Sequence, residues 1–175
     1  MRAYDCGHEL PEADFDEEYD GISRGWPIEL RSLKLYLENH AGADRRHAWS
    51  MLDLDLDATE AWQRLTGPAG FACGTEVERM AEGDPFRFVT ADGDEFSGTA
   101  LVCLPREFSG DAKSHGGGFF RICVEEWAGQ SHVWLWLASY HMSDAELASI
   151  TERWDAMLQR LFVANGETVA EGASS

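Results

Sequence analysis

The chain is expected to fold as an α+β protein, a curved antiparallel β-sheet wrapped around a long C-terminal α-helix, with an extra N-terminal helix. Three observations predict this. Residues 117–127 and 131–141 are two stretches rich in aromatic and aliphatic residues, with Ala128-Gly129-Gln130 as the turn between them. Residues 142–163 follow, with Leu147, Ile150, Trp154, Met157, Leu158 and Leu161 recurring at helical spacing. Upstream, short apolar runs divided by turn residues read as a β-meander. A helix with one apolar stripe cannot stand alone in water and must lay that stripe on a sheet. A sheet bent around such a helix often encloses a pocket.

The elements follow in order. Residues 1–24 are dominated by acids, from Glu12 to Asp20, and are expected to be extended and mobile. A helix follows with Pro27 in its first turn, where the missing N–H costs little. Trp26, Leu30, Leu33 and Leu37 form its apolar stripe, and Gly42 is its stop. In the strand 49–56, Leu52, Leu54 and Leu56 alternate with Asp53 and Asp55, the pattern of a sheet with one wet face. Asp57 caps a short helix carrying Trp62 and Leu65, with Glu60 placed as in a capping box. The meander is expected as strands 76–81, 86–91, 95–104 and 106–113, with Asp92-Gly93 suited to a tight hairpin. The domain thus spans 45–163, after an acidic segment plus helix in 1–44 and before a small, polar, flexible tail in 164–175.

Composition narrows the function. With 44% hydrophobic residues in 175, the chain can fill a core. No run approaches the roughly 20 apolar residues that cross a bilayer, and Met1–Asp5 has no apolar signal core, so a cytoplasmic location is expected. The formal net charge is −18. Nucleic acid and anionic membrane are therefore not expected partners, since both demand basic surfaces. The four cysteines, Cys6, Cys73, Cys103 and Cys123, match no zinc spacing and read as free thiols.

Residues 47–163 resemble the SRPBCC superfamily (START-like, birch-pollen-allergen-like, helix-grip), and within it the bacterial homologues of the heat-shock chaperone ATPase activator. The resemblance is carried by Leu52–Leu56 followed by 57–66, by Asp92-Gly93 with Gly98, by Pro105, and by Arg153-Trp154 with Leu158 and Leu161. It implies a strand, two short helices, a meander and a long helix across the sheet's concave side. Residues 21–38 resemble the closing helix of a preceding copy, since Trp26, Leu30 and Leu33 repeat the spacing of Trp154, Leu158 and Leu161. The first helix would then be the remnant of a repeat. Both parities of 131–141 are apolar, so the convex sheet face needs cover, from this helix or from a homodimer contact.

Catalytic and metal constellations are hard to find. His132 and His141 are separated by an odd number on one strand and face opposite ways. Cys6-Gly7-His8 offers too few ligands for a metal. Gly116-Gly117-Gly118 leads into a strand, unlike a phosphate cradle, which leads into a helix. Glu126 shares parity with Phe120, Ile122 and Val124 and could reach the cavity. No cofactor is expected.

The expected function is therefore non-catalytic binding of a small hydrophobic or aromatic ligand between sheet and C-terminal helix. Trp62, Phe71, Phe86, Phe88, Phe120, Ile122, Tyr140, Trp154 and Leu158 are the expected lining, with the Tyr140 hydroxyl orienting a polar group. Two alternatives follow from the resemblance. A polyketide cyclase-like enzyme would need Glu126, His141 or Tyr140 to face the cavity. A chaperone-activator-like interaction module would use the acidic surface and convex tryptophans.

Overall fold

A computed structural model describes residues 12–127 and 129–163, with side chains from residue 25 onward. Cys6, His8, Ala128 and the tail 164–175 lie outside the described residues. The elements are α1 (Glu12–Asn39), β1 (Arg46–Leu54), α2 (Ala58–Thr66), α3 (Gly74–Arg79), β2 (Pro85–Val89), β3 (Glu95–Leu104), β4 (Glu107–Ala112), β5 (Gly118–Trp127), β6 (Gln130–Ser139) and α4 (Asp144–Leu158). A π-helical turn, Gln159–Val163, extends α4.

The strands form one six-stranded antiparallel sheet in the order β1-β6-β5-β4-β3-β2. The first strand thus closes onto the last, and β2 and β1 are the edges. Alternation sorts the side chains between the two faces. Phe120, Ile122 and Val124 of β5 join the main core with α4, as the alternation predicts, and Val133, Leu135 and Leu137 of β6 join it too. From α4 come Leu147, Ile150, Trp154, Met157 and Leu158. The expected architecture is the observed one.

Helix α4 is held at both ends. Ser143 Oγ accepts from the backbone N–H of Glu146, and the Glu146 carboxylate accepts from Ser143, a complete capping box. Farther along, Arg153 donates to Asp94 at 2.6 Å and Arg160 to Asp92 at 2.5 Å. The β2–β3 turn is thereby tied to the helix. Ser50 of β1 donates a hydrogen bond to Asp155 on the same helix.

Four expectations are corrected. Residues from Glu12 onward belong to α1 and are not extended, and Pro27 lies inside that helix, not in its first turn. Acids at a helix N-terminus face the positive end of its dipole and are favourable there, so acidity alone did not signify an open chain. Residues 76–81 are not a strand: 74–79 form α3, in which Val77 alone is buried, too little to fix a period. The capping box expected at α2 is half made, because Asp57 accepts from Thr59 and Glu60 while Glu60 turns to Arg64 at 2.6 Å.

The fourth correction concerns how α1 packs. The helix does cover the convex face of its own sheet, but not through the predicted stripe. Ile28 packs against Val102, Phe119 and Ala138, flanked by Leu35, Leu101 and Trp136. Trp26, Leu30, Leu33 and Leu37 point to solvent. The helix carries apolar residues on two faces, and the sheet takes the one with the shorter row.

Candidate functional site

The site residues proposed from sequence come from six different parts of the chain, and the sheet's curvature brings most of them together. Trp62 projects from α2, Phe71 from the loop after it, Phe86 and Phe88 from β2, Phe120 and Ile122 from β5, Trp154 and Leu158 from α4. All eight belong to one buried cluster. Phe96 of β3 and Phe108 of β4 join them. Both are legible in the sequence by strand parity, and reading them would have completed the set.

The rings touch one another. Phe96 stacks on Phe120 at 4.6 Å between centroids, Phe86 meets Phe108 at 4.9 Å, and Phe88 meets Phe108 at 4.8 Å. Trp154 lies 5.8 Å from Phe96 and 6.4 Å from Phe120. Tilted and edge-on contacts at such distances suit the aromatic quadrupole. His115 closes the cluster at one end, stacked on Phe96 at 4.5 Å, and burial pushes its pKa below the usual value.

One polar atom stands out among these rings. The Trp154 indole Nε1 is buried and has no hydrogen-bond partner. Leaving such a donor unpaired costs about 1–3 kcal/mol. An acceptor placed there would recover that energy.

Tyr140 is the exception among the expected lining residues. It follows β6 on the convex parity of Trp136 and Ala138, and its ring stacks on His40 at 4.2 Å, with Tyr36 at 5.6 Å. It therefore anchors the C-terminal end of α1 and takes no part in the aromatic cluster. His40 Nε2 sits 2.9 Å from the Gly117 carbonyl, which fixes the proton on that nitrogen in the neutral ring. Glu126 and His141 are exposed, so neither expected acid–base group reaches the rings.

The convex face holds the polar constellations. Asp53 Oδ1 lies 2.7 Å from His132 Nδ1, a pair joined across β1 and β6. Sequence reading missed it because register, not spacing, makes it. Arg121 donates to Glu107 and Glu125, both at 2.7 Å. Burial works against the Arg121 cation, yet Cys123, Glu107 and Glu125 hold its pKa above the usual value. Beside them the Cys123 thiol is pushed well up by burial and is no nucleophile. Cys73 is likewise raised by burial, to about 12. Cys73, Cys103 and Cys123 are free thiols, as expected. Among the described residues no group of three or more His, Cys, Asp or Glu is placed to hold a metal.

An open groove of about 410 Å³ lies between α3 and β2, lined by Thr75, Glu76, Arg79, Met80, Asp84 and Pro85. It shares no residue with the aromatic cluster. Glu76, Arg79 and Asp84 make half of its lining charged, and it is unlike an apolar ligand site.

An antiparallel sheet wrapped around a C-terminal helix defines the helix-grip class, and this chain is a helix-grip protein of α+β type. No protein-family model matches it, and no curated protein does. Several solved structures are similar to it. DynU16, from the dynemicin biosynthetic locus, is similar at 15% identity and TM-score 0.49, over 69% of this chain and 48% of that one. This chain thus spans about half of DynU16. The Aha1 dimer from Colwellia psychrerythraea is similar at 12% identity and TM-score 0.46, over 74% of this chain and 99% of that one. CalU16 from Micromonospora echinospora is similar at 17% and 0.44, over 74% and 88%. Among the described residues no helix is long and apolar enough to cross a membrane.

Proposed function

We propose that the protein binds a small hydrophobic or aromatic molecule between the sheet and α4 and performs no chemistry on it. The observation that carries this reading is the unpartnered Trp154 indole N–H, buried among phenylalanine rings. A ligand with an aromatic ring and one oxygen acceptor answers both features: the ring replaces ring contacts, and the oxygen takes the orphan proton. Because the phenylalanines touch one another, such a ligand enters by parting them.

Titration with a neutral aromatic ketone and its matched hydrocarbon tests this. Trp154→Phe keeps the ring and removes the donor, so ketone affinity falls about tenfold, the equivalent of about 1.4 kcal/mol, while hydrocarbon affinity is unchanged. Phe120→Ala opens room and raises affinity for both. Native mass spectrometry of freshly purified protein is expected to show a retained small molecule. Absence of a retained ligand, together with no binding of either compound by Phe120→Ala, sinks the proposal.

A second reading, a protein-interaction module, is favoured by a separate observation: the apolar row Trp26, Leu30, Leu33 and Leu37 of α1 lies in solvent.

A further inference from the structure

We infer that α1 pairs with α1 of a second copy of this chain, antiparallel, about a two-fold axis between Arg31 and Ser32. The inference rests on reading that helix as an interaction surface and is independent of ligand binding. Trp26, Leu30, Leu33 and Leu37 are 60%, 55%, 50% and 60% exposed. On the opposite side of the same turns, Ile28 and Ser32 are buried against the sheet. The spacing from Trp26 to Leu37 steps by four, three and four, the repeat of a helix–helix seam. In α4 the same beginning of that pattern, Trp154, Leu158 and Leu161, is buried. In α1 it has no cover among the described residues.

Charge permits a second copy as the occupant and sets its direction. The protein carries a net charge of −18, so two copies repel unless their contact is locally neutral. Residues 25–40 are neutral in this sense, with Glu29 and Glu38 balanced by Arg31 and Lys34. Just upstream, residues 12–20 hold six acids and no base, and they belong to the same helix. Parallel pairing lays these two acidic ends side by side. Antiparallel pairing sends them to opposite ends.

The row also closes on itself in that sense. With the axis between Arg31 and Ser32, Trp26 meets Leu37 of the second copy and Leu30 meets its Leu33. The two-fold then repeats the same contacts, as an isologous interface requires. Each sheet stays on the outer side of the pair, so the folded domains do not collide.

Sedimentation velocity from low micromolar to several hundred micromolar concentration is the first measurement. A monomer–dimer equilibrium is expected, and added salt strengthens it by screening the acidic domains. Leu30→Glu/Leu33→Glu gives a monomer whose circular dichroism and melting temperature match those of the parent at concentrations where the parent is monomeric, since both side chains lie outside the core. A nitroxide at Glu38→Cys then reads orientation, with the unsubstituted chain as labelling control. Antiparallel pairing separates the labels by about 20 Å along the axis, thirteen residues at about 1.5 Å each, whereas parallel pairing holds them within about 10 Å, one interhelical distance. A monomer at every concentration and salt overturns self-pairing and leaves the stripe to a different chain. A dimer that survives the double substitution overturns both readings of the helix, and a short label distance overturns the antiparallel arrangement.

Discussion

At the scale of the residue, close packing decides more than chemistry. Gly98 on β3 pairs with Phe86 on one side and Ala112 on the other. A Cβ there would sit 1.6 Å from the Asp111 carbonyl oxygen, which is backbone and cannot turn aside. Gly98→Ala is therefore expected to cost about 3 kcal/mol, the upper part of the range for overpacking. Gly25→Ala is the contrast: it lies inside α1 with nothing within 4 Å, and helix propensity predicts a gain of up to about 1 kcal/mol. Urea unfolding of both variants checks the pair, and equal midpoints would refute it. At this scale the sequence was legible where strands alternate. Phe120, Ile122 and Val124 could be assigned to the core because Arg121 and Glu125 marked the other face. Tyr140 could not, because both parities of β6 are apolar and only the packed α1 shows which side each serves. The Asp53–His132 pair was hidden for a related reason, since its members lie on strands far apart in the chain.

At the scale of the element, caps were more informative than composition. Ser143 and Glu146 stand three apart ahead of an apolar run, a visible N-terminal signature of α4 that sequence reading passed over. The acids of 12–20 were misleading, because a solvated acidic tail and an acidic helix start look alike without a partner surface. The α4 box makes a pH prediction. Its backbone and hydroxyl hydrogen bonds from Ser143 lower the Glu146 pKa from the ordinary 4.5. A carboxylate held below its unfolded value contributes stability above that value and loses it as pH falls through the folded one. The melting-temperature difference between the parent and Glu146→Ala is thus expected at neutral pH and should shrink below 4.5. Glu146→Gln keeps an uncharged acceptor, so its difference from Glu146→Ala should not vary over the same range. A parent–alanine gap that persists in strong acid would mean the carboxylate's charge plays no part in the cap.

At the scale of the whole molecule, the sheet is sandwiched. Helix α4 fills the concave side and α1 lies on the convex side, so the fold has three layers where the expected grip alone has two. The two cores share no buried residue, because strand alternation sends neighbours to opposite faces and the register shift between Ala100 and Val102 turns Val102 outward. Removing the outer layer should therefore leave the inner one standing. Deletion of residues 1–44 is expected to keep the far-ultraviolet dichroism of the sheet and α4. It should cost roughly 3 kcal/mol, since it removes Ile28 and returns Phe119 partly to water, at about 1.5–3 kcal/mol for each large side chain. The uncovered face, with Val102, Phe119, Ala138 and Trp136, should bind a hydrophobic dye even though the exposed row of α1 is gone. Ile28→Ala in the full chain is the milder control, since it removes the central contact and keeps the cover. If the truncated chain unfolds at the parent's urea midpoint and stays dark to the dye, α1 contributes nothing to the fold. The helix would then be free to leave the sheet when a partner takes its exposed row.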